Sequence, residues 1–259
     1  MAERPFTPHT PMTAHPDTPP RDPSHPDPDH PDGRAVLLAI AAPLELKAVG
    51  LDPGTLRPWE ARRLAPGVEV VLTGVGKANA AGGVSRVLDP ARHAGVVSLG
   101  IGGTLDDTLP LGALVLGESS LFADEGVRTP EGFTPCAQMG FALTSCPEDE
   151  IRCDPRWMDA WRGRVDRVAR IATVSTCSGT DGLAREIRAR TGAAVEAMEG
   201  AAVGLATRAL HPAGAFAELR VVSNTTGDRG GQRWALEAAM GTLSGVLGRL
   251  GLVGAGSSG

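Results

Sequence analysis

The sequence predicts an α/β fold in which a largely parallel sheet is covered by helices on both faces. Two observations carry the prediction. Short continuous aliphatic runs alternate along the chain with Ala-rich segments of helical spacing, the pattern of strands joined by crossover helices. The 259 residues, 42% of them hydrophobic, also suffice for one large core. Aromatic residues are scarce and Tyr is absent, so that core must be close-packed and aliphatic.

Residues 1–33 hold ten Pro, five Asp and four His and lack the apolar content to fold; they are expected to form a disordered tail. A folded domain is expected over 34–250. Its first element, Arg34–Ala42, is a buried strand by its unbroken apolar run. A helix opens at Pro43, where the missing N–H costs least. Val68–Thr73 is a strand, Gly74-Val75-Gly76-Lys77 a tight turn and Ala78–Leu88 a helix. Gly95–Leu99 is a strand, followed by the glycine run Gly100-Ile101-Gly102-Gly103, and Leu111–Glu118 is the next strand. Phe122–Phe141 reads as a loop. Pro155–Arg167 is helical, with Trp157 and Trp161 one turn apart on one face. Arg170–Ser175 is a strand. Asp181 caps a helix that runs to Arg190 and ends at Gly192. Ala193–Met198 is a strand, Glu199–Leu210 a helix and Ala217–Ser223 a strand. Asn224–Gly231 is a polar loop, Gln232–Leu250 a long amphipathic helix, and 251–259 a flexible end.

The formal net charge is −5, of which the first 33 residues contribute −4, so the folded part is close to neutral. No basic patch marks a nucleic-acid binder and no polybasic segment marks a membrane anchor. No apolar run reaches membrane-spanning length, and the N-terminus has no apolar signal core. The four Cys (136, 146, 153 and 177) form no close CxxC pair, which points to reduced thiols in the cytoplasm. With only His93 and His211 in the folded part, no metal site is expected.

In an open α/β sheet, ligands bind at the carboxyl ends of the strands. Gly74-Val75-Gly76-Lys77 lies at such an end but matches neither the dinucleotide fingerprint nor the phosphate-binding loop. A Ser/His/Asp triad is disfavoured, because His93 and His211 follow helices, away from the ligand edge. Cys177 reads as a small buried side chain. There remain the carboxylates Glu45, Asp124, Glu125, Glu196, Glu199 and Asp228. Glu45, Glu199 and Asp228 fall at strand ends, and paired carboxylates suit cleavage of a glycosidic bond through an oxocarbenium-like transition state.

Val195-Glu196-Ala197-Met198-Glu199-Gly200-Ala201 resembles the sugar-binding segment of the nucleoside phosphorylase/nucleosidase superfamily. Val97–Leu105, with Leu111–Val115 after it, is similar to that superfamily's glycine loop, which places Gly102 at the substrate. Within the superfamily, Ala123-Asp124-Glu125-Gly126-Val127 and Ser223-Asn224-Thr225-Thr226-Gly227-Asp228-Arg229, followed by Gln232 and Trp234, resemble the futalosine hydrolase family. The resemblance spans 34–250. It implies a three-layer α/β/α nucleoside phosphorylase-like fold with a central mixed, largely parallel sheet. It implies hydrolysis of the N-glycosidic bond of futalosine to hypoxanthine and dehypoxanthine futalosine on the way to menaquinone. It implies no metal or organic cofactor, a small-molecule nucleoside as ligand, and assembly into a homo-oligomer, with Phe122–Phe141 as a contact or lid.

The resemblance also implies roles. Glu45 activates the water, Glu199 accepts hydrogen bonds from the ribosyl hydroxyls, and Met198 packs on the sugar. Asn224 stands where adenine-specific relatives carry an acidic residue. An amide both donates and accepts, which suits a 6-oxopurine. Arg229 or Arg128 would clamp the distal carboxylate of the substrate, an internal ion pair with Asp228 or Glu199 being the other reading of Arg229. Phe133 or Trp234 would stack on an aromatic ring, with core packing preferred for Trp234 at the start of its helix. Phosphorolysis, release of adenine from related nucleosides, and nucleoside binding without catalysis are the competing readings.

Overall fold

The computed structural model describes residues 33–141 and 149–253. The expected tail therefore lies, except for Gly33, outside the described residues, as do Cys146 and the last six residues of the expected flexible end. Eleven strands are described: β1 (Ala35–Ile40), β2 (Ala61–Ala65), β3 (Val68–Leu72), β4 (His93–Thr104), β5 (Leu114–Phe122), β6 (Gly126–Thr129), β7 (Gly132–Pro135), β8 (Glu150–Arg152), β9 (Arg167–Thr173), β10 (Val195–Ala197) and β11 (Ala215–Thr225). The helices are α1 (Pro43–Ala48), α2 (Lys77–Val87), α3 (Pro155–Trp161), α4 (Asp181–Thr191), α5 (Gly200–Leu210) and α6 (Leu236–Leu250).

The main sheet runs β10-β9-β5-β11-β4-β1-β3-β2, with β8 added at β5. Pairing is parallel along β3-β1-β4-β11 and along β5-β9-β10, and antiparallel between β11 and β5. β10 also pairs antiparallel with β4, so five strands close on themselves. Alternation along β1 explains the layers. Val36, Leu38 and Ile40 point to one face, with Leu46 and Val49 of the α1 region and Leu243, Val246 and Leu250 of α6. Leu37 and Ala39 point to the other, with Ala80 and Val84 of α2 and Ala201, Val203 and Ala206 of α5. Each wholly buried Leu or Ile contributes about 1.5–3 kcal/mol.

Several expectations are corrected. The glycine run Gly100–Gly103 is not a turn but the second half of β4. Its glycines admit neighbours close to the backbone: an added Cβ at Gly102 would lie 2.7 Å from Val195 Cγ1 and 2.8 Å from Glu196 O. Phe122–Phe141 is not an irregular loop; it carries the β6–β7 hairpin. β11 extends through Asn224 and Thr225, so Asn224 sits on a strand. The α4 cap is Thr180, whose side chain accepts from the Leu183 N–H, rather than Asp181; Gly192 ends the helix in the left-handed conformation, φ 68°. The helix from Pro155 stops at Trp161, where a short 3-10 turn leads into β9, and α6 starts at Leu236. Trp157 and Trp161 do stack, with centroids 5.1 Å apart.

β1 ends at Ala39 opposite Ser98, and β10 joins the same side of β4 only at Gly103. The stretch between them leaves backbone groups of β4 without a strand partner on that side, and there the sheet opens into a cavity. His93 and His211 lie buried at the other end of β4, His93 Nε2 3.3 Å from Glu69 Oε2 and His211 Nε2 3.1 Å from the His93 carbonyl oxygen. Burial raises the Glu69 pKa, but bonds from His93 and Arg92 outweigh it and hold the carboxylate down at about 2. Among the described residues no helix is long and apolar enough to cross a membrane, and no group of three or more His, Cys, Asp or Glu is arranged to hold a metal ion.

Candidate active site

The cavity, about 370 Å³, is lined by residues at the ends of six strands, β1, β3, β4, β9, β10 and β11. Among them are Glu45, Gly102, Met198, Glu199, Asn224 and Arg229, six of the seven site residues expected from sequence. Phe133 is not there. It lines a separate cavity beside the β6–β7 hairpin, with the Arg190 guanidinium 4.2 Å from its ring centroid. Arg128 is also elsewhere, paired on the surface with Glu186 through two 2.9 Å bonds. Asp228 accepts from the Asp181 N–H and fastens a loop outside the cavity.

Glu45 occupies the gap between β1 and β10. Its Oε2 accepts from the Ala42 N–H (2.9 Å) and its Oε1 from the Ile101 N–H (2.9 Å), one of the groups freed where β1 ends. Burial pushes the Glu45 pKa above the usual carboxylate range, against the pull of Arg220 and these backbone donors. A carboxylate fixed at both oxygens, with its proton affinity raised and lone pairs to spare, suits a general base.

Glu199 begins α5. The Gly76 N–H donates to its Oε1 (3.0 Å), and Arg220 Nη2 lies 3.3 Å from its Oε2. Arg220 is 1% exposed. Its Nε donates to Glu218 Oε1 (2.8 Å) and its Nη2 to Ser98 Oγ (2.9 Å), while Ser120 Oγ donates to Glu218 Oε2. One buried guanidinium thus serves Glu218 and Glu199 and acts electrostatically on Glu45. Three carboxylates around one cation leave a negative field beside the cavity, suited to developing positive charge on a sugar.

Sequence reasoning missed Arg220 and Glu218. The available signal was Glu218-Leu219-Arg220: opposite charges two apart on a central strand share one face and must be buried together. Glycine makes room for them. An added Cβ at Gly100 would collide with Arg220 Nη1 and lie 2.5 Å from Glu45 Oε1, and one at Gly200 would collide with the Glu218 carboxylate. Gly200→Ala should therefore lower stability by about 1–3 kcal/mol through overpacking and reduce turnover, read by melting and steady-state kinetics. Unchanged values would show that Glu218 does not need the space.

Asn224 pairs with Gly103 of β4. Its Oδ1 accepts from Ser223 Oγ (2.8 Å) and one Nδ2 hydrogen goes to Thr225 O (2.9 Å), which leaves a second amide hydrogen. Trp234 does not pack in the core. It is 50% exposed at the cavity mouth, bridged to Asn224 through the backbone, with the Arg229 guanidinium 5.1 Å from its ring. Arg229 donates to Gln232 (2.8 Å) and makes no ion pair with Asp228 or Glu199. Cys177, read as buried, is exposed at the cavity; desolvation and the nearby Glu196 and Glu199 push its thiol up to about 11, which disfavours the thiolate. Lys77 pairs with Asp124 and, at 2.9 Å, with Glu125, while Asp124 accepts from the Ser175 N–H. This ties three rim loops together.

The family model of the phosphorylase superfamily matches residues 62–251. The chain is similar to a futalosine hydrolase of Streptomyces coelicolor, 35% identical over 227 residues that cover 83% of this chain and 94% of that protein. It is 31% identical to a futalosine hydrolase of Acidothermus cellulolyticus over 226 residues, 84% of this chain and 90% of that protein. In fold it is similar to the 5'-methylthioadenosine/S-adenosylhomocysteine nucleosidase of Neisseria meningitidis in complex with methylthio-immucillin-A. The TM-score is 0.66 at 17% identity, covering 84% of this chain and 98% of that one. The native structure of the futalosine hydrolase of Helicobacter pylori gives a TM-score of 0.64 at 15% identity, covering 84% and 97%.

Proposed function

The chain belongs to the phosphorylase superfamily and, within it, to the futalosine hydrolase family, and from that premise we propose that it cleaves the N-glycosidic bond of futalosine with water. The products are hypoxanthine and dehypoxanthine futalosine, in a route to menaquinone. The observation that carries this reading is the convergence of Glu45, Glu199 and Asn224 on one cavity, with Glu45 held by two backbone N–H groups.

The sugar lies over Met198, with its hydroxyls donating to Glu199. As the bond from C1′ to the base lengthens, the electron pair leaves with the purine and positive charge builds on the sugar. The carboxylates at Glu199 and Glu45 stabilise that charge. Glu45 takes a proton from water as the water oxygen bonds to C1′. The free amide hydrogen of Asn224 supports the departing hypoxanthine anion, which takes a proton from solvent to become neutral hypoxanthine, while Glu45 returns its proton to solvent. Arg229, spread on Trp234 at the mouth, meets the distal carboxylate of the substrate in a charge-assisted bond. Three free thiols, Cys136, Cys153 and Cys177, support a cytoplasmic setting.

Incubation with futalosine, inosine and methylthioadenosine, with and without phosphate, tests the reading by the base released. Hypoxanthine from futalosine without phosphate is expected; adenine release, or dependence on phosphate, would overturn it. Glu199→Gln should stay folded and lose about 10- to 100-fold in kcat/KM, the worth of a hydrogen bond to a charged group. Full turnover by the folded variant would remove Glu199 from sugar binding.

A further inference from the structure

A third carboxylate of the cavity, Glu196, has no part in the chemistry above. Its neighbours are specific. Gly103 of β4 pairs with Asn224 of β11 on one side and with Glu196 of β10 on the other. Their side chains meet over Gly103 together with the Thr226 methyl: a Cβ added at Gly103 would lie 2.9 Å from Thr226 Cγ2, 3.1 Å from Asn224 Nδ2 and 3.6 Å from Glu196 Cγ. Glu196 is 4% exposed, and it, Gly103 and Asn224 all line the cavity. Ser178 fixes the carboxylate from behind, through its N–H to Oε1 (2.8 Å) and its Oγ–H to Oε2 (2.6 Å).

An amide donor and a carboxylate acceptor on the two strands that flank Gly103, both lining the cavity, make a two-point reader. The geometry points to Glu196 as a specificity residue that, with Asn224, selects a base bearing a lactam edge, adjacent N–H and C=O groups. The inference rests on the futalosine hydrolase reading and names what that site recognises. The N1–H of a 6-oxopurine donates to Glu196, and Asn224 Nδ2–H donates to O6. A 6-aminopurine presents the opposite pattern, an N1 acceptor beside an amino donor, and leaves the carboxylate facing a lone pair. Burial raises the Glu196 pKa, against the two Ser178 donors, so the buried carboxylate gains from an N–H donor in the cavity.

The test compares futalosine with its 6-amino analogue on wild type and on Glu196→Gln. A glutamine side chain can turn its NH₂ toward an N1 acceptor. The ratio of kcat/KM for the 6-oxo over the 6-amino substrate should fall at least tenfold in the variant. A ratio unchanged within twofold, including an equal loss on both substrates, overturns the inference. Should the variant fail to fold, wild type is titrated with hypoxanthine and 1-methylhypoxanthine: at least tenfold weaker binding of the methylated base is expected, and equal binding overturns the inference. Failure of the functional reading looks different, because wild type would then release no hypoxanthine from futalosine at all.

Discussion

Glu45→Gln is expected to leave a folded protein whose kcat for futalosine hydrolysis is lower by about 10²–10⁴-fold, the usual contribution of a general base, with KM little changed. The amide can accept from only one of the Ala42 and Ile101 N–H groups and cannot take a proton from water. The pH dependence gives a second readout. Burial raises the Glu45 pKa, so the protonated, inactive form persists above 4.5, its ordinary value. The kcat of wild type should fall on the acid side with a midpoint above 4.5, because only the ionised carboxylate is a base. Glu45→Gln should lose that limb. A variant with wild-type kcat and an unchanged acid limb would assign the base role to another group.

Arg220→Met should be the most destabilising single change at the site. It leaves Glu218 buried against α5 without its cation and removes the partner of Glu199. Breaking a buried ion pair on one side costs about 3–5 kcal/mol. For a domain of this size that lowers the melting temperature by roughly 6–20 °C. Removing both charges, as in Arg220→Met with Glu218→Leu, should recover part of the stability, since a buried pair replaced by apolar groups is often neutral. It should not recover activity, because Glu199 still lacks its guanidinium. Calorimetric melting of the single and double variants checks this. A single variant that melts with wild type would show that the network contributes nothing to the fold.

These two residues also show what the sequence discloses. Glu45, Glu199, Met198 and Asn224 were legible because each stands at a strand end inside a recognisable motif. Arg220 was not: Glu218 two residues away signals one buried partner, but nothing local shows the others, Ser98 on β4 and Glu199 at the start of α5. β1 was legible from an unbroken aliphatic run and β3 from one interrupted only by Glu69. The edge strand β2, Ala-Arg-Arg-Leu-Ala, was not, since only its antiparallel pairing with β3 makes it a strand. Gly100–Gly103 was misread because glycine signals a turn locally, whereas here it admits Glu45, Arg220 and Val195 to the backbone. Phe133 was placed at the substrate as a ring able to stack on it. The β6–β7 hairpin instead carries it onto Arg190. Trp234 was misread toward core packing, because its exposure depends on the backbone bridge to Asn224 that holds it at the mouth.

The most direct measurement is the fate of oxygen when the purified protein meets futalosine in phosphate-free buffer made with ¹⁸O-labelled water. The account predicts free hypoxanthine in step with a sugar product carrying one labelled oxygen at its anomeric carbon. No turnover until phosphate is added, or turnover with no label in the sugar product, would contradict it.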